Sequence, residues 1–288
     1  MIPSIPQPRA LKLIYMAYIA VFFVYLAAPL IVVTAFSFND SMFPSLPWNG
    51  FTLDWFVNDT APRTGLFHDG RILESIWISL VVACLVTLLS VAVGTCNAFL
   101  FERHDFPFKE LLYLAMLAPL VIPGVILGIS ILVFSNTLIN WLDALFGIEV
   151  EALRPGLMLV VLGQFSFIAT ISTLVIAARL RKFDTTLEEA ARNLGASHWR
   201  AIRTVTLPYL RPAMIGAGIV ALLMSFENFN TTLILVGPDA PLTITMFGRL
   251  REGSTPVLNA VSLFLMVVSG GLAVLSLFVQ RPENESED

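Results

Sequence analysis

The chain has 288 residues, 57% of them hydrophobic and 13% charged, with a mean hydropathy of +0.81. Soluble domains carry about 25% charged residues, so a water-soluble globe is excluded, and apolar runs of about 20 residues point to membrane-spanning helices. The net charge of −4 gives no sign of a nucleic-acid partner.

Six apolar runs follow in chain order, at 12–37, 75–101, 110–134, 156–180, 213–236 and 258–279. Each is near the length that crosses the hydrocarbon core as a helix, and strand-period alternation is absent, which argues against a membrane β-barrel. The expected fold class is an all-α membrane protein with six transmembrane helices, a single domain over 1–288. The first run follows Arg9 and Lys12 as a signal peptide would. It continues into Phe36-Ser37-Phe38-Asn39 without a small-residue cleavage pattern, so it reads as a retained helix. Twelve of the 17 Lys and Arg residues, Arg281 included, fall on the side that holds both termini, which makes that side cytoplasmic. The acidic tail from Glu283 to Asp288 reads as a solvated end.

The segment 38–74 carries Trp48 and the pair Trp55-Phe56, aromatics expected to rest at the headgroup level. The two cysteines, Cys84 and Cys96, share the second run. Twelve helical residues separate them by about 18 Å, beyond disulfide reach, and no Cys/His spacing suits a metal. Pro119, Pro123 and Gly124 interrupt span three, a bend expected to line a cavity or be covered by neighbouring helices. The amphipathic stretch from Leu138 to Phe146 is expected to lie in the interface.

The only substantial cytoplasmic loop runs from Arg181 to Arg211. Thr185 with Glu188, or Thr186 with Glu189, makes a capping-box start. Gly195 sits where a C′ glycine ends a helix. Ser197 then caps a second short helix through Trp199, Ile202 and Val205, and Pro208 and Pro212 break the chain before span five. The pattern makes a helix–turn–helix plate at the membrane face, and on pattern alone it reads first as a surface-lying amphipathic segment. Ala190 and Ala191 permit close approach by another backbone, while Glu189 offers a charged contact.

Glu189-Ala190-Ala191-x-x-x-Gly195, then nine residues, then Val205-x-Leu207-Pro208 resembles the EAA loop of ABC importer permeases, with Val205 where isoleucine is usual. The resemblance implies the type I ABC importer permease fold with both termini cytoplasmic, and a multi-pass protein of the bacterial inner membrane. It implies that 181–212 forms coupling helices seated in a groove of a cytoplasmic ATPase. Glu189, Ala190, Ala191, Gly195, Leu207 and Pro208 would make that contact, Glu189 pairing with a basic residue and Gly195 allowing the turn. Such a chain is a transport subunit and no enzyme: ATP and Mg belong to two partner ATPase copies, and no Gly-x-x-x-x-Gly-Lys-Ser/Thr phosphate loop is present. A homologous second permease and an extracytoplasmic solute-binding protein, periplasmic where there is an outer membrane, complete the implied set.

The likeness covers nearly the whole chain and resembles the smaller permease of spermidine/putrescine-type importers, through Ser37-Phe38-Asn39, Ala118-Pro119-Leu120-Val121-Ile122-Pro123, Arg179-Leu180-Arg181-Lys182-Phe183-Asp184, Gly237-Pro238 and Val257-Leu258-Asn259-Ala260. Three departures bear on substrate. The polyamine pattern has Pro-Asp where this chain has Pro123-Gly124, paired aspartates where it has Glu227-Asn228 after Ser225-Phe226, and His-x-Thr-Phe where it has Gln164-Phe165-Ser166-Phe167. Glu227 is the one acidic residue deep inside any span, an expensive placement that marks a cavity or a partner. It reads either as a structural contact to the second permease or as a cation-attracting group on the path. Phe226 and Phe167 pack the bundle or face an ammonium group beside it; Gln164 and Asn228 line the path or bond between helices. The expected solute is small and cationic or zwitterionic: a polyamine, or a single-cation amine, quaternary-ammonium or sulfonium osmolyte. Two other classes compete. A secondary transporter would show internal repeats, which are not evident. A membrane enzyme would need a nucleophile with a base or a metal set within the spans, and His68, His104 and His198 all fall outside the apolar runs.

Overall fold

The computed structural model of the protein describes residues 9–148, 150–253 and 255–279; Arg281 and the acidic tail lie outside these. The described residues form helices and no named strand, with one isolated bridge between Asn39 and Phe51. Six helices are long and apolar enough to cross a membrane: α1 (Arg9–Phe36), α3 (Gly70–Arg103), α5 (Gly124–Phe146), α6 (Leu157–Leu180), the continuous helix His198–Phe226 and α12 (Pro256–Val279). Contacts group the chain into two compact units, one of residues up to Gly70 with Arg249–Val267, the other of Arg71–Gly248 with residues from Val268 on.

In the first unit, α1 buries none of its residues, and the segment after it folds around Asn39. The buried Asn39 side chain accepts the Asn49 N–H (3.0 Å) and donates to the carbonyls of Ser45 (3.2 Å) and Pro47 (3.4 Å). Its own carbonyl takes the indole N–H of Trp55 at 2.9 Å. Arg63 closes the knot, paired with Asp40 and Asp54 and lying over the Trp55 ring. Trp55 is 2% exposed, so its ring packs inside the protein and is not presented to headgroups or water. Once buried, an indole N–H needs an acceptor, and the Asn39 turn supplies it. Phe56 is likewise drawn onto Phe38, whereas Trp48 stays exposed.

In the second unit, α6 is the central helix. One cluster joins Val82 and Val86 of α3, Val160, Val161 and Ile168 of α6, and Leu235; another joins Ala98, Ile176, Ala177, Leu180, Phe183 and Leu210. Small residues set the α3–α6 distance, because a Cβ at Gly94 would lie 2.9 Å from Ser172 Cβ and 3.0 Å from the Thr173 backbone nitrogen. Close backbone approach of this kind is what holds helices together where lipid removes the hydrophobic drive.

Three local expectations change. The interruption between α4 (Lys109–Val121) and α5 falls at Ile122-Pro123, while Pro119 stays inside α4. Pro123 is the N-cap of α5, one of the places where a missing N–H costs nothing. The stretch from Leu138 to Phe146 is no separate interfacial helix but the end of α5, closed by Gly147 at φ +64° with its N–H on the Asp143 carbonyl. Pro208 and Pro212 do not break the chain. The helix runs from α8 (His198–Ala201) through a π turn (Ile202–Thr206) into α9 (Leu207–Phe226), with the Leu207 N–H reaching the Ile202 carbonyl five residues back. That wider turn relieves the carbonyl that the Pro208 ring would otherwise strike.

Candidate functional site

Two regions of the second unit gather the residues singled out above. The first is the loop from Arg181 to Ser197, built around α7 (Thr186–Asn193). Its start is capped by Asp184, not by a Thr/Glu box: Asp184 Oδ1 accepts the Thr186 N–H (3.0 Å) and hydroxyl (2.8 Å), while Thr185 has helical dihedrals and makes no side-chain cap. Those two bonds hold the Asp184 carboxyl below its ordinary range. The glutamate that a capping box would have used, Glu188, turns inward. It accepts from Arg103 at the end of α3 (3.2 Å) and from the Thr206 hydroxyl in the π turn, and its side chain is only 12% exposed.

The residues behind this clamp are interlocked. Arg103 lies over the Phe183 ring, Phe183 packs edge-on against Tyr209, and Arg181 pairs with Glu102 at 2.8 Å, which holds its guanidinium above the ordinary value. Glu189, one residue and about 100° further round the helix, is exposed, as is Ala190, while Ala191 is half-buried. Two adjacent carboxylates therefore point to different jobs.

The end of α7 is a Schellman turn. The Gly195 N–H bonds to the Arg192 carbonyl (2.9 Å) and the Ala196 N–H to the Ala191 carbonyl (3.1 Å), with Gly195 at φ +91°. Ser197 caps the next helix through the Arg200 N–H, as expected. Glu189, Arg192, Asn193 and His198 line a shallow groove across the turn. Around it Leu187, Leu194 and Trp199 are exposed, Leu194 to 91%. Leu207 is half-buried and Pro208 exposed.

The second region lies where α9 ends. Glu227 leaves the helix, and α10 (Asn230–Leu235) restarts three residues on. Asn228 Oδ1 accepts the Thr232 N–H (3.2 Å) and hydroxyl (2.9 Å), capping α10. Gln164 Nε2 donates to the Thr232 hydroxyl (2.9 Å), and its Oε1 accepts the Ser225 hydroxyl. Gln164 is 1% exposed, so this chain of bonds is internal and braces the break from α6. Glycines let α10 nest: a Cβ at Gly124 would sit 3.1 Å from Asn230 Cβ, and one at Gly163 would sit 2.3 Å from Leu235 Cδ1. Thr231 also donates to the Gly124 carbonyl at 3.3 Å. The interruption before α5 thus meets the interruption after α9. Irregular backbone at membrane depth is tolerated where protein buries it or it lines a cavity.

Glu227 stands outside this braced network. It is exposed, and the Ser269 hydroxyl donates to it at 3.3 Å. Phe226 is half-buried, Pro123 exposed, and Phe167 packs on the core around Val160. Sequence reasoning gave Glu188 a capping role in place of its tie to Arg103 and Thr206, and missed Thr232 and Gly163. Thr232, four residues after Asn228, was findable as a helix-start spacing; the Arg103 partner of Glu188 is 85 residues away and left no local signal.

Residues 90–281 match the family model described as binding-protein-dependent transport system inner membrane component. The chain is 26% identical over 269 residues to the spermidine/putrescine transport system permease protein PotC of Haemophilus influenzae, covering 93% of this chain and 96% of that one. It is 27% identical over 262 residues to the putrescine transport system permease protein PotI of Escherichia coli, covering 89% and 87%. In fold it matches a chain of a bacterial ABC transporter involved in the import of the acidic polysaccharide alginate, with a TM-score of 0.75, 19% identity and 96% of each chain covered.

Proposed function

This chain belongs to the binding-protein-dependent transport system inner membrane components, and from that premise we propose that it forms half of the translocation path of an ATP-driven importer for a small cationic solute. It is a multi-pass inner-membrane permease with the type I ABC importer fold, a transport subunit and not an enzyme. The other half of the path comes from a homologous permease, and two ATPase copies engage the loop 181–212 on the cytoplasmic side, where both termini lie. The observation that carries this reading is the division of labour in α7: Glu188 fastens the helix to Arg103 and Thr206, while Glu189, the Schellman turn and exposed Leu194 are left facing outward. In the complex with its partners, Glu189→Ala keeps the chain in the membrane at normal levels and lowers ATP-dependent uptake. Normal uptake by that variant, or full uptake by this chain with no ATPase subunit present, overturns the proposal.

The solute assignment is supported by Glu227, beside the paired helix breaks. A carboxylate exposed at such depth is costly unless it faces water, a partner or a cationic solute. The relatives named for putrescine and spermidine favour the last. Glu227→Gln raises the KM for a cationic solute, and competition among spermidine, putrescine and quaternary-ammonium solutes identifies the class. Selective, high-affinity uptake unaffected by Glu227→Gln rules Glu227 out of the path.

A further inference from the structure

The end of α6 carries Arg179, Arg181 and Lys182, and they divide into two groups. Arg181 is neutralised by Glu102. Arg179 and Lys182, three residues apart and so on one side of the chain, form no ion pair among the described residues. Both line an open cleft of about 250 Å³ between α6 and α9.

Arg179 is held in place there. Its Nε donates to the Tyr209 carbonyl at 2.9 Å and its guanidinium lies over the Tyr209 ring at 4.6 Å. The four N–H groups on its terminal nitrogens have no protein acceptor among the described residues. The nearby backbone adds no loose negative charge, since the carbonyls of Ala177, Arg179 and Leu180 accept from the N–H groups of Arg181, Lys182 and Phe183. The remaining walls are apolar, with Val175, Ala178 and Ala213 running back along the spanning helices.

We infer that this cleft binds the headgroup of an anionic phospholipid. A fixed guanidinium offers a planar, multi-donor match for a phosphate, and an ammonium beside it adds a point charge. Basic clefts between spanning helices at the membrane surface suit this class of ligand. The cleft opens at the last turn of a 24-residue apolar helix, the level of the headgroups, and its apolar wall continues into the hydrocarbon where acyl chains lie. A soluble phosphate would make no use of that wall. The inference holds whichever solute the importer carries.

The test uses the intact complex, purified from membranes of phosphatidylethanolamine and phosphatidylglycerol and measured by native mass spectrometry with lipid extraction. Wild type retains phosphatidylglycerol in excess over the membrane ratio. Lys182→Gln, at an exposed side chain without a protein partner, lowers that excess about fivefold, the weight of one basic residue near a lipid surface. Arg179→Gln with Lys182→Gln removes it. Three results overturn the inference: equal lipid ratios in wild type and Lys182→Gln; displacement of the bound species by millimolar glycerol phosphate, which marks a soluble-phosphate site; or loss of ATPase subunits from Lys182→Gln with its lipid unchanged, which marks a protein contact.

Discussion

Gly195 gives the sharpest test of the loop, because its environment separates two causes that usually act together. A Cβ built there meets nothing within 4 Å, so size alone costs nothing within this chain, yet φ is +91°. A non-glycine residue held at positive φ costs about 1–2 kcal/mol, and that conformation brings the Gly195 and Ala196 N–H groups onto the two Schellman carbonyls of α7. Gly195→Ala should therefore reduce the population of the correctly turned loop by about 5- to 30-fold while leaving insertion intact. Asn tolerates positive φ better than Ala, so Gly195→Asn should retain more uptake despite its larger side chain, and Gly195→Leu should lose at least as much as Gly195→Ala. The assay is ATP-dependent uptake in proteoliposomes, normalised to membrane-inserted protein. If activity falls with side-chain size instead, with Ala near wild type and Asn well below it, the backbone argument is wrong and the turn is sensed by what packs on it from outside.

Three further outcomes follow from contacts within the second unit. Glu188→Ala leaves Arg103 and the Thr206 hydroxyl without their acceptor, a loss of about 1.5–3 kcal/mol for a hydrogen bond to a charged group, read as a lower thermal inactivation midpoint that Glu189→Ala does not share. Gly94→Val drives methyls into Ser172 and the Thr173 backbone and should cost about 1–3 kcal/mol of overpacking, seen as a reduced monodisperse yield. Gly218→Ala, whose Cβ would meet only methyls at 3.6 Å, should not. Asp184 has a folded pKa below its unfolded one, so its cap is in force above the ordinary carboxylate range and is lost as pH falls through the lowered value. The protection of the Thr186 amide, its exchange rate taken relative to the intrinsic rate at the same pH, should accordingly fall on acidification in the wild type, and Asp184→Ala should show the lower protection at neutral pH too.

Legibility followed the range of the interactions. The Gly195 turn and the Ser197 cap are local, each decided within six residues, and the sequence pattern found both. The start of α7 misled because Asp184, Thr185 and Thr186 all suit a cap; Glu188 could serve a capping box only if it were free, and Arg103 had already taken it. Proline position was overread for the same reason. Pro208 and Pro212 look like breaks one residue at a time, but a π turn just before Pro208 eases the first and the helix carries Pro212 within it. Trp55 read as an interfacial aromatic because its acceptor, the Asn39 carbonyl, lies 16 residues upstream. The break at Glu227 carried no glycine or proline to announce it; its supports, Gly124 and Gly163, lie on other helices.

The same geometry sharpens what Glu227 can do on the proposed path. Around the break, Ser225, Asn228 and Thr232 join Gln164 in one chain of hydrogen bonds and Thr231 donates to the Gly124 carbonyl, while Asn230 is exposed. Groups so engaged are poor partners for a passing solute, since each contact with it would first break an internal bond. Among the described residues the Glu227 carboxylate is tied by a single long hydroxyl contact from Ser269, so its charge can be redirected with little loss. On the proposed path, this chain would therefore offer the solute one carboxylate at the paired breaks. A solute with one cationic centre is matched by Glu227 alone, whereas a polyamine needs further carboxylates from the homologous permease. Replacing Glu227 by Gln should abolish recognition of a single-cation solute but only weaken that of a polyamine. Equal sensitivity of the two classes in competition assays would refute the charge count.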